Sequence, residues 1–216
     1  MISIARLAAN ADTAIYYLEA IANDRDDYYV ASGEVPGRWL GSGSALLGLD
    51  GEVTPEDLRA ILDGMDPRTG EELVGYRKNS GFDLTLSAPK SVSLLWGLGD
   101  RATTRQVVAA HDQAVLAALA YLESAACTVR RGKAGSVHHR AGGLVVAAFR
   151  HRTSREADPQ LHTHLVTANM ALGPDGRWTA LHSADIWHHS RTAGFIYQSV
   201  LRHEVAERLS IAAMRA

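Results

Sequence analysis

The most regular alternation of apolar and polar positions is "GFDLTLSAP", residues 81–89, where Phe82, Leu84 and Leu86 interleave with Asp83 and Thr85. Period two predicts a strand, and Pro89 ends it. "KSVSLLWGL", 90–98, then reads as a helix, and a longer helix covers 101–126 with Val107, Val108, Val115, Leu116, Leu119 and Leu122 on one side. Two further runs, "GGLVVAAFRH" (142–151) and "LHTHLVTANMAL" (161–172), read as neighbouring antiparallel strands joined by a polar loop. "GPDGRW", 173–178, is a hairpin-type turn, and a helix from about 184 to 209 closes the pattern. Nearer the start, "ADTAIYYLEAIA" (11–22) predicts a short helix capped by Asp12, and a Gly/Ser-rich loop covers 41–51. Thr54, Pro55 and Asp57 then open a helix that runs to about Leu62. There is no internal repeat or low-complexity linker.

Composition adds bounds. A chain of 216 residues, 46% hydrophobic and 21% charged, is long enough for one full core. It holds no run of eighteen apolar residues, and "MISIARLAANADTAIYYLEA" is too often broken by polar residues to be a leader, so the chain is expected to be soluble and cytosolic. Cys127 is the single cysteine, which excludes an internal disulfide and a cysteine-based zinc site; it reads as a small buried residue at a helix end. The net charge of −2 is unevenly spread: residues 1–72 carry 5 Lys and Arg against 14 Asp and Glu, residues 73–216 carry 17 against 10. "VRRGKAGSVHHR" (129–140), with Arg150, Arg152 and Arg155 after it, is either plain solvated surface or a face for a polyanion.

Candidate chemistry centres on "DPQLHTHLVTANM", 158–170. On a strand His162 and His164 share a face, whereas on a helix they would diverge by roughly 200°. The neighbouring strand ends at His151, so a hairpin can bring three imidazoles to one point. Such histidines are either packed and hydrogen-bonded or hold an ion whose remaining positions stay open, as in a catalytic site. His138/His139 and His188/His189 lie among Arg and Ser and read as exposed pairs. Two Tyr-Tyr pairs, Tyr16/Tyr17 and Tyr28/Tyr29, fall within fourteen residues. Adjacent helical residues point about 100° apart, so one member of each pair is left for a task other than core packing. A phenol with a pKa near 10 attacks at neutral pH only with help from a cation or base.

"YY" at 16–17, "DDYY" at 26–29, "GFDLTLSAPKSVSLLW" and "FRHRTSREADPQLHTHLVTANM" together resemble the relaxase domain of TrwC/TraI-type conjugative plasmid proteins, a group of HUH endonucleases. The resemblance implies an α+β fold, a central antiparallel sheet flanked by helices, with DNA across it. It implies that His151, His162 and His164 are metal ligands and that Asp83 is a catalytic residue, orienting one of them and helping to deprotonate a tyrosine. Tyr16 would attack the scissile phosphate at the origin of transfer, leaving a 5′-phosphotyrosyl link and a 3′-hydroxyl, and Tyr28 would serve a later strand-transfer step; Tyr17 and Tyr29 are the alternatives one residue away.

Lys90 and Ser91 at a helix start could hold a phosphate or simply cap. With Arg150, Arg152 and Arg155, Lys90 is a candidate DNA contact. The implied cofactor is a divalent ion, Mg²⁺ or Mn²⁺ by availability, although imidazoles bind Zn²⁺, Ni²⁺ or Co²⁺ more tightly in vitro. Implied partners are single-stranded DNA at the origin of transfer and the relaxosome and conjugation machinery, in the bacterial cytoplasm. Residues 1–216 would form a single relaxase domain stopping short of the family's C-terminal part. A rolling-circle replication initiator shares the metal motif, but "SAPKSVS" argues against it; a non-catalytic fragment that binds metal or single-stranded DNA is the other alternative.

Overall fold

The computed structural model describes residues 2–8, 36–154 and 158–213. The helix expected over 11–22, both tyrosine pairs and Arg155 lie outside them. Five strands form one antiparallel sheet: β1 (Ile2–Ala8), β3 (Asn79–Ser87), β7 (Pro159–Ala168), β6 (Val146–Thr153) and β2 (Arg38–Leu40), in that spatial order. Among the described residues there are five α-helices, α1 (Ser42–Leu46), α2 (Pro55–Asp63), α3 (Lys90–Leu98), α4 (Arg101–Ala126) and α5 (Ser183–Ala213). Two hairpins, β4 (Thr128–Arg131) with β5 (Val137–Arg140) and β8 (Ala171–Leu172) with β9 (Trp178–Thr179), lie outside that sheet. This is the expected α+β architecture.

Side-chain alternation gives the central sheet two different faces. Phe82, Leu84, Leu86, Val146, Ala148, Leu161 and Leu165 point to one core, which α4 and α5 cover with Val107, Ala114, Leu122, Tyr197 and Leu201. Leu7, Val145, Ala147, Phe149, Val166 and Ala168 point the other way, where α2 supplies Leu58, Ile61 and Leu62. The histidines at odd and even positions of β6 and β7 follow this alternation onto the α2 side. Each fully buried leucine contributes about 1.5–3 kcal/mol relative to exposure, so a register slip that reversed the faces would be strongly opposed.

Helix ends follow local chemistry. Thr54 Oγ1 accepts the Asp57 amide at 3.1 Å with Pro55 next in line, and Gly64 (φ 87°) closes α2 in a left-handed conformation. Arg77 then donates to the carbonyls of Leu62 at 2.7 Å and Val74 at 2.9 Å. Asp100 caps α4 through the Thr103 amide at 2.7 Å.

Several expectations need correction. The 41–51 stretch is not a plain loop: α1 forms within it, because Gly43 lies so close to Gly143 and Leu144 that a Cβ would stand 2.7 Å from a carbonyl oxygen. Buried Ser44 donates to the Leu40 carbonyl at 2.7 Å and accepts the Val146 amide at 3.1 Å. Smallness there serves close packing. Leu116, expected on the apolar side of α4, is 37% exposed, and buried Ala110, Ala114 and Ala118 complete that side instead. The basic stretch 129–140 contains a hairpin, with Val129 buried. His189 is half-buried and its Nδ1 meets Tyr121 Oη at 2.7 Å, so only His188 of that pair is exposed.

Candidate metal centre

The β6–β7 ladder sets His151 directly opposite His162, and the β7–β3 ladder sets His164 opposite Thr85. His164 is two residues beyond His162, hence on the same face. The three rings stand with centroids 4.9–5.1 Å apart, and one nitrogen from each lies within 4.8 Å of the others.

The ring nitrogens are already oriented. His164 Nδ1 donates to Asp83 Oδ2 at 2.8 Å, with Thr85 Oγ1 at 3.3 Å, and His162 Nδ1 donates to the Gln160 carbonyl at 2.9 Å. A proton held on Nδ1 leaves the lone pair on Nε2, the form that binds a metal. His151 Nε2 is buried and meets no hydrogen-bond partner among the described residues. A buried ring nitrogen left unpaired costs about 1–3 kcal/mol, which an ion at the convergence point would offset. Burial, then the neighbouring His164 and His162, push the His151 pKa down to about 3 against the opposing pull of Asp83, so this ring is neutral at pH 7. Three imidazoles backed by a carboxylate fit a divalent transition-metal ion and leave coordination positions for oxygen ligands.

Asp83 itself is 6% exposed and reaches His164 from the adjacent strand, diagonal to it across β3–β7. The structure therefore brings His151, His162, His164 and Asp83 together. It pairs two of the basic candidates with carboxylates outside this cluster. Lys90, the first residue of α3, pairs with Asp158; Arg150 projects to the opposite, helix-covered face and pairs with Asp112 of α4 at 2.9 Å. Asp112 is also 3.5 Å from Arg38. Arg152 is half-buried near the end of β6. Tyr16, Tyr17, Tyr28, Tyr29 and Arg155 lie outside the described residues.

Two participants had not been singled out. Thr85 follows Asp83 by two on a strand, and that spacing alone would have put it on the site face. The second is behind the sheet: fully buried His111 of α4 links Tyr197 Oη (2.8 Å to Nδ1) with Thr163 Oγ1 (2.7 Å to Nε2), and Thr163 is the residue between the two β7 histidines. Burial, then nearby positive charge, lowers the His111 pKa to about 3, and burial raises that of Tyr197. A lone histidine within an apolar helical side was the available signal.

The TrwC relaxase family profile matches residues 10–215. The multifunctional conjugation protein TraI of Escherichia coli is 36% identical over 219 residues, which cover 95% of this chain, and TraI of Escherichia coli strain K12 is 35% identical over the same share. The chain spans 12% of the length of these relatives. Among solved structures, the metal-bound conjugative relaxase TrwC in complex with oriT DNA superposes with a TM-score of 0.79 at 37% identity, covering 96% of this chain and 70% of that one. The copper-bound TrwC complex gives 0.80 at 36% with the same coverage. TrwC bound to a 27-mer with the recognition hairpin and cleavage site gives 0.77 at 34%, covering 96% and 69%. With the family profile matching almost end to end and the fold shared with its solved members, this chain belongs to the TrwC relaxase family.

Proposed function

We propose that the protein nicks and rejoins one DNA strand at a plasmid origin of transfer during conjugation, by tyrosine transesterification. The observation that carries this reading is the convergence of His151, His162 and His164 on one sheet face with Asp83 fixing a ring. Its support is that TrwC, which shares the fold, is solved on oriT DNA with metal bound.

The three histidines would hold the ion, Mg²⁺ or Mn²⁺ by availability. A divalent ion at such a site supplies Lewis-acid polarisation of a phosphate oxygen. The Tyr16 oxygen attacks phosphorus, the bond to the 3′ oxygen breaks, and that oxygen takes up the proton lost by the phenol. The products are a 5′-phosphotyrosyl link and a 3′-hydroxyl, so bond energy is kept for rejoining. Tyr28 performs the later transfer, with Tyr17 and Tyr29 as the alternatives. Asp83 keeps His164 in the ligating tautomer.

Lys90, Arg152 and Arg155 are the proposed backbone contacts. Lys90 makes an exposed ion pair of a kind worth about 0–1 kcal/mol, so it can exchange Asp158 for a phosphate. Residues 1–216 act as one relaxase domain, with relaxosome proteins as partners in the cytoplasm. None of the described helices is long and apolar enough to cross a membrane.

The test is incubation of the protein and its Tyr16→Phe variant with Mn²⁺ and a library of single-stranded oligonucleotides, followed by mass spectrometry after denaturation. A covalent adduct on Tyr16, absent from the variant, is expected. An adduct surviving in Tyr16→Phe would reassign the nucleophile, and none from any oligonucleotide would favour a non-catalytic binding fragment.

A further inference from the structure

A second constellation of ligating groups lies away from the central sheet. His138 of β5, His182 just before α5, and Asp185 in its first turn each offer a ligand atom within 4.8 Å of the others. Two separate pieces of chain, the β4–β5 hairpin and the segment that opens α5, meet there. The β4–β5 register puts His138 opposite Arg130, and an isolated bridge from Val129 to Leu181, with the His182 amide on the Thr128 carbonyl at 2.8 Å, clamps the hairpin against the start of α5. Val129 and Leu181 are buried, so the clamp is held by the core.

The local chemistry is that of a prepared cation site. His182 Nδ1 is buried, finds no partner in hydrogen-bond geometry among the described residues, and stands 3.2 Å from Asp185 Oδ2. The His138 and His182 rings lie 4.3 Å apart at 57°, closer than any pair in the main histidine cluster. The Thr128 hydroxyl donates to Asp185 Oδ2, the oxygen that also faces His182, and holds the carboxylate in place, as ligating carboxylates commonly are held. Burial works against ionising Asp185, but the Thr128 hydrogen bond and the two histidines outweigh it and hold the carboxyl below the usual carboxylate range. A carboxylate in the first turn of a helix is ordinarily explained by the helix dipole. That explanation leaves out the two imidazoles turned toward it. His182, just before α5, and Asp185 in its first turn already set an imidazole and a carboxylate 3.2 Å apart, and His138 adds a third ligand from the hairpin.

We propose that His138, His182 and Asp185 form a second metal site, selective for borderline divalent ions such as Zn²⁺, Co²⁺, Ni²⁺ or Cu²⁺ over Mg²⁺. Two imidazoles and one carboxylate are the donors such ions favour. His138 is exposed, which leaves an outward position for water. The ion ties the β4–β5 hairpin to α5, and its role is to brace that junction. The site shares no residue with His151, His162 and His164 and does not depend on what they do.

The experiment is equilibrium dialysis of the whole chain against Co²⁺ alone, with bound metal counted by elemental analysis and cobalt absorption. The protein should bind two equivalents; His138→Gln and His162→Gln should each bind one, the double variant none, and the neighbouring His139→Gln two. Asp185→Asn should weaken the His138-dependent equivalent at least tenfold. One equivalent in the unaltered chain that His138→Gln removes and His162→Gln leaves would uphold this site and sink the histidine trio as a metal centre. The proposal is overturned if His138→Gln binds as much Co²⁺ as the unaltered protein.

Discussion

Asp83 Oδ2 accepts the Nδ1 hydrogen of His164 at 2.8 Å across the β3–β7 ladder, from a position 6% exposed. The carboxylate orients the ring and keeps its lone pair on Nε2. Outer partners of this kind are worth about 10–100-fold in metal affinity. Asp83→Ala should therefore weaken Mn²⁺ binding by about that factor while leaving the circular dichroism spectrum unchanged, as calorimetric titration would read.

His151 is the ligand whose metal-free state carries the clearest cost, since its Nε2 is buried without a partner. Replacing it by Leu removes that nitrogen and keeps an apolar group between β6 and β7. In chelator, His151→Leu should unfold at a temperature no lower than the unaltered chain. An ion at a hundred times its Kd stabilises by about 2.7 kcal/mol, and the variant should lose that contribution when Mn²⁺ is added. Thermal scans with and without metal check both.

Much of this site was legible in sequence because it lies on regular strands. Period two alone put His162 and His164 on one face, and "GFDLTLS" put Asp83 on a strand whose partner the structure supplies. The short strands β2, β4 and β5 were not legible, since three or four residues with charged members give no periodicity to read. Nor was α1, where Gly43 and Ser44 look like loop residues and their packing against Leu144 and Val146 is decided by chain about a hundred residues away. The site of His138, His182 and Asp185 depends on a hairpin meeting a helix start, a long-range fact that spacing cannot encode.

Glu123 on α4 anchors that same α1 corner. Its Oε1 accepts the amides of Ser42 at 2.7 Å and Leu144 at 2.9 Å, so one carboxylate satisfies an orphan donor of α1 and one at the entry to β6. Leu144 is fully buried, and its amide has no water to turn to once the acceptor is gone. Glu123→Ala should cost about 1–3 kcal/mol in urea unfolding, and Glu123→Gln, which keeps an acceptor oxygen, distinctly less.

The basic side chains differ in where they sit along β6. Arg150 lies on the helix-covered side with its guanidinium on Asp112, whereas Arg152 is near the end of β6. A phosphate contact on a single strand contributes about 0.7 to the slope of log affinity against log salt. Arg152→Ala should lower that slope for a single-stranded oligonucleotide by about this amount. Arg150→Ala should leave the slope where it was and lower the unfolding midpoint instead, because it removes the nearer of the two arginines beside the partly buried Asp112 and leaves only Arg38 at 3.5 Å. Fluorescence anisotropy across salt, paired with urea unfolding, tells the two apart.

His111 gives the fold a built-in acid sensitivity. Its folded pKa of about 3 lies below the ordinary histidine value of 6.5, so between those limits the unfolded chain takes up a proton that the folded chain refuses. The stability that depends on a neutral ring is complete above pH 6.5 and is lost progressively as the pH falls toward 3. For one such group the loss from pH 7 to pH 5 is about 2 kcal/mol. The metal-free His151 is shifted in the same direction and to the same level, so the two losses combine when no ion is bound. His111→Gln can still hydrogen-bond Tyr197 or Thr163 but cannot titrate. In chelator it should be less stable than the unaltered chain at pH 7 and should lose about half as much further stability on going to pH 5. If the two proteins weaken in parallel over that range, the buried ring is not the group that acid attacks, and the His111–Thr163 contact behind the metal ligands is a packing detail alone.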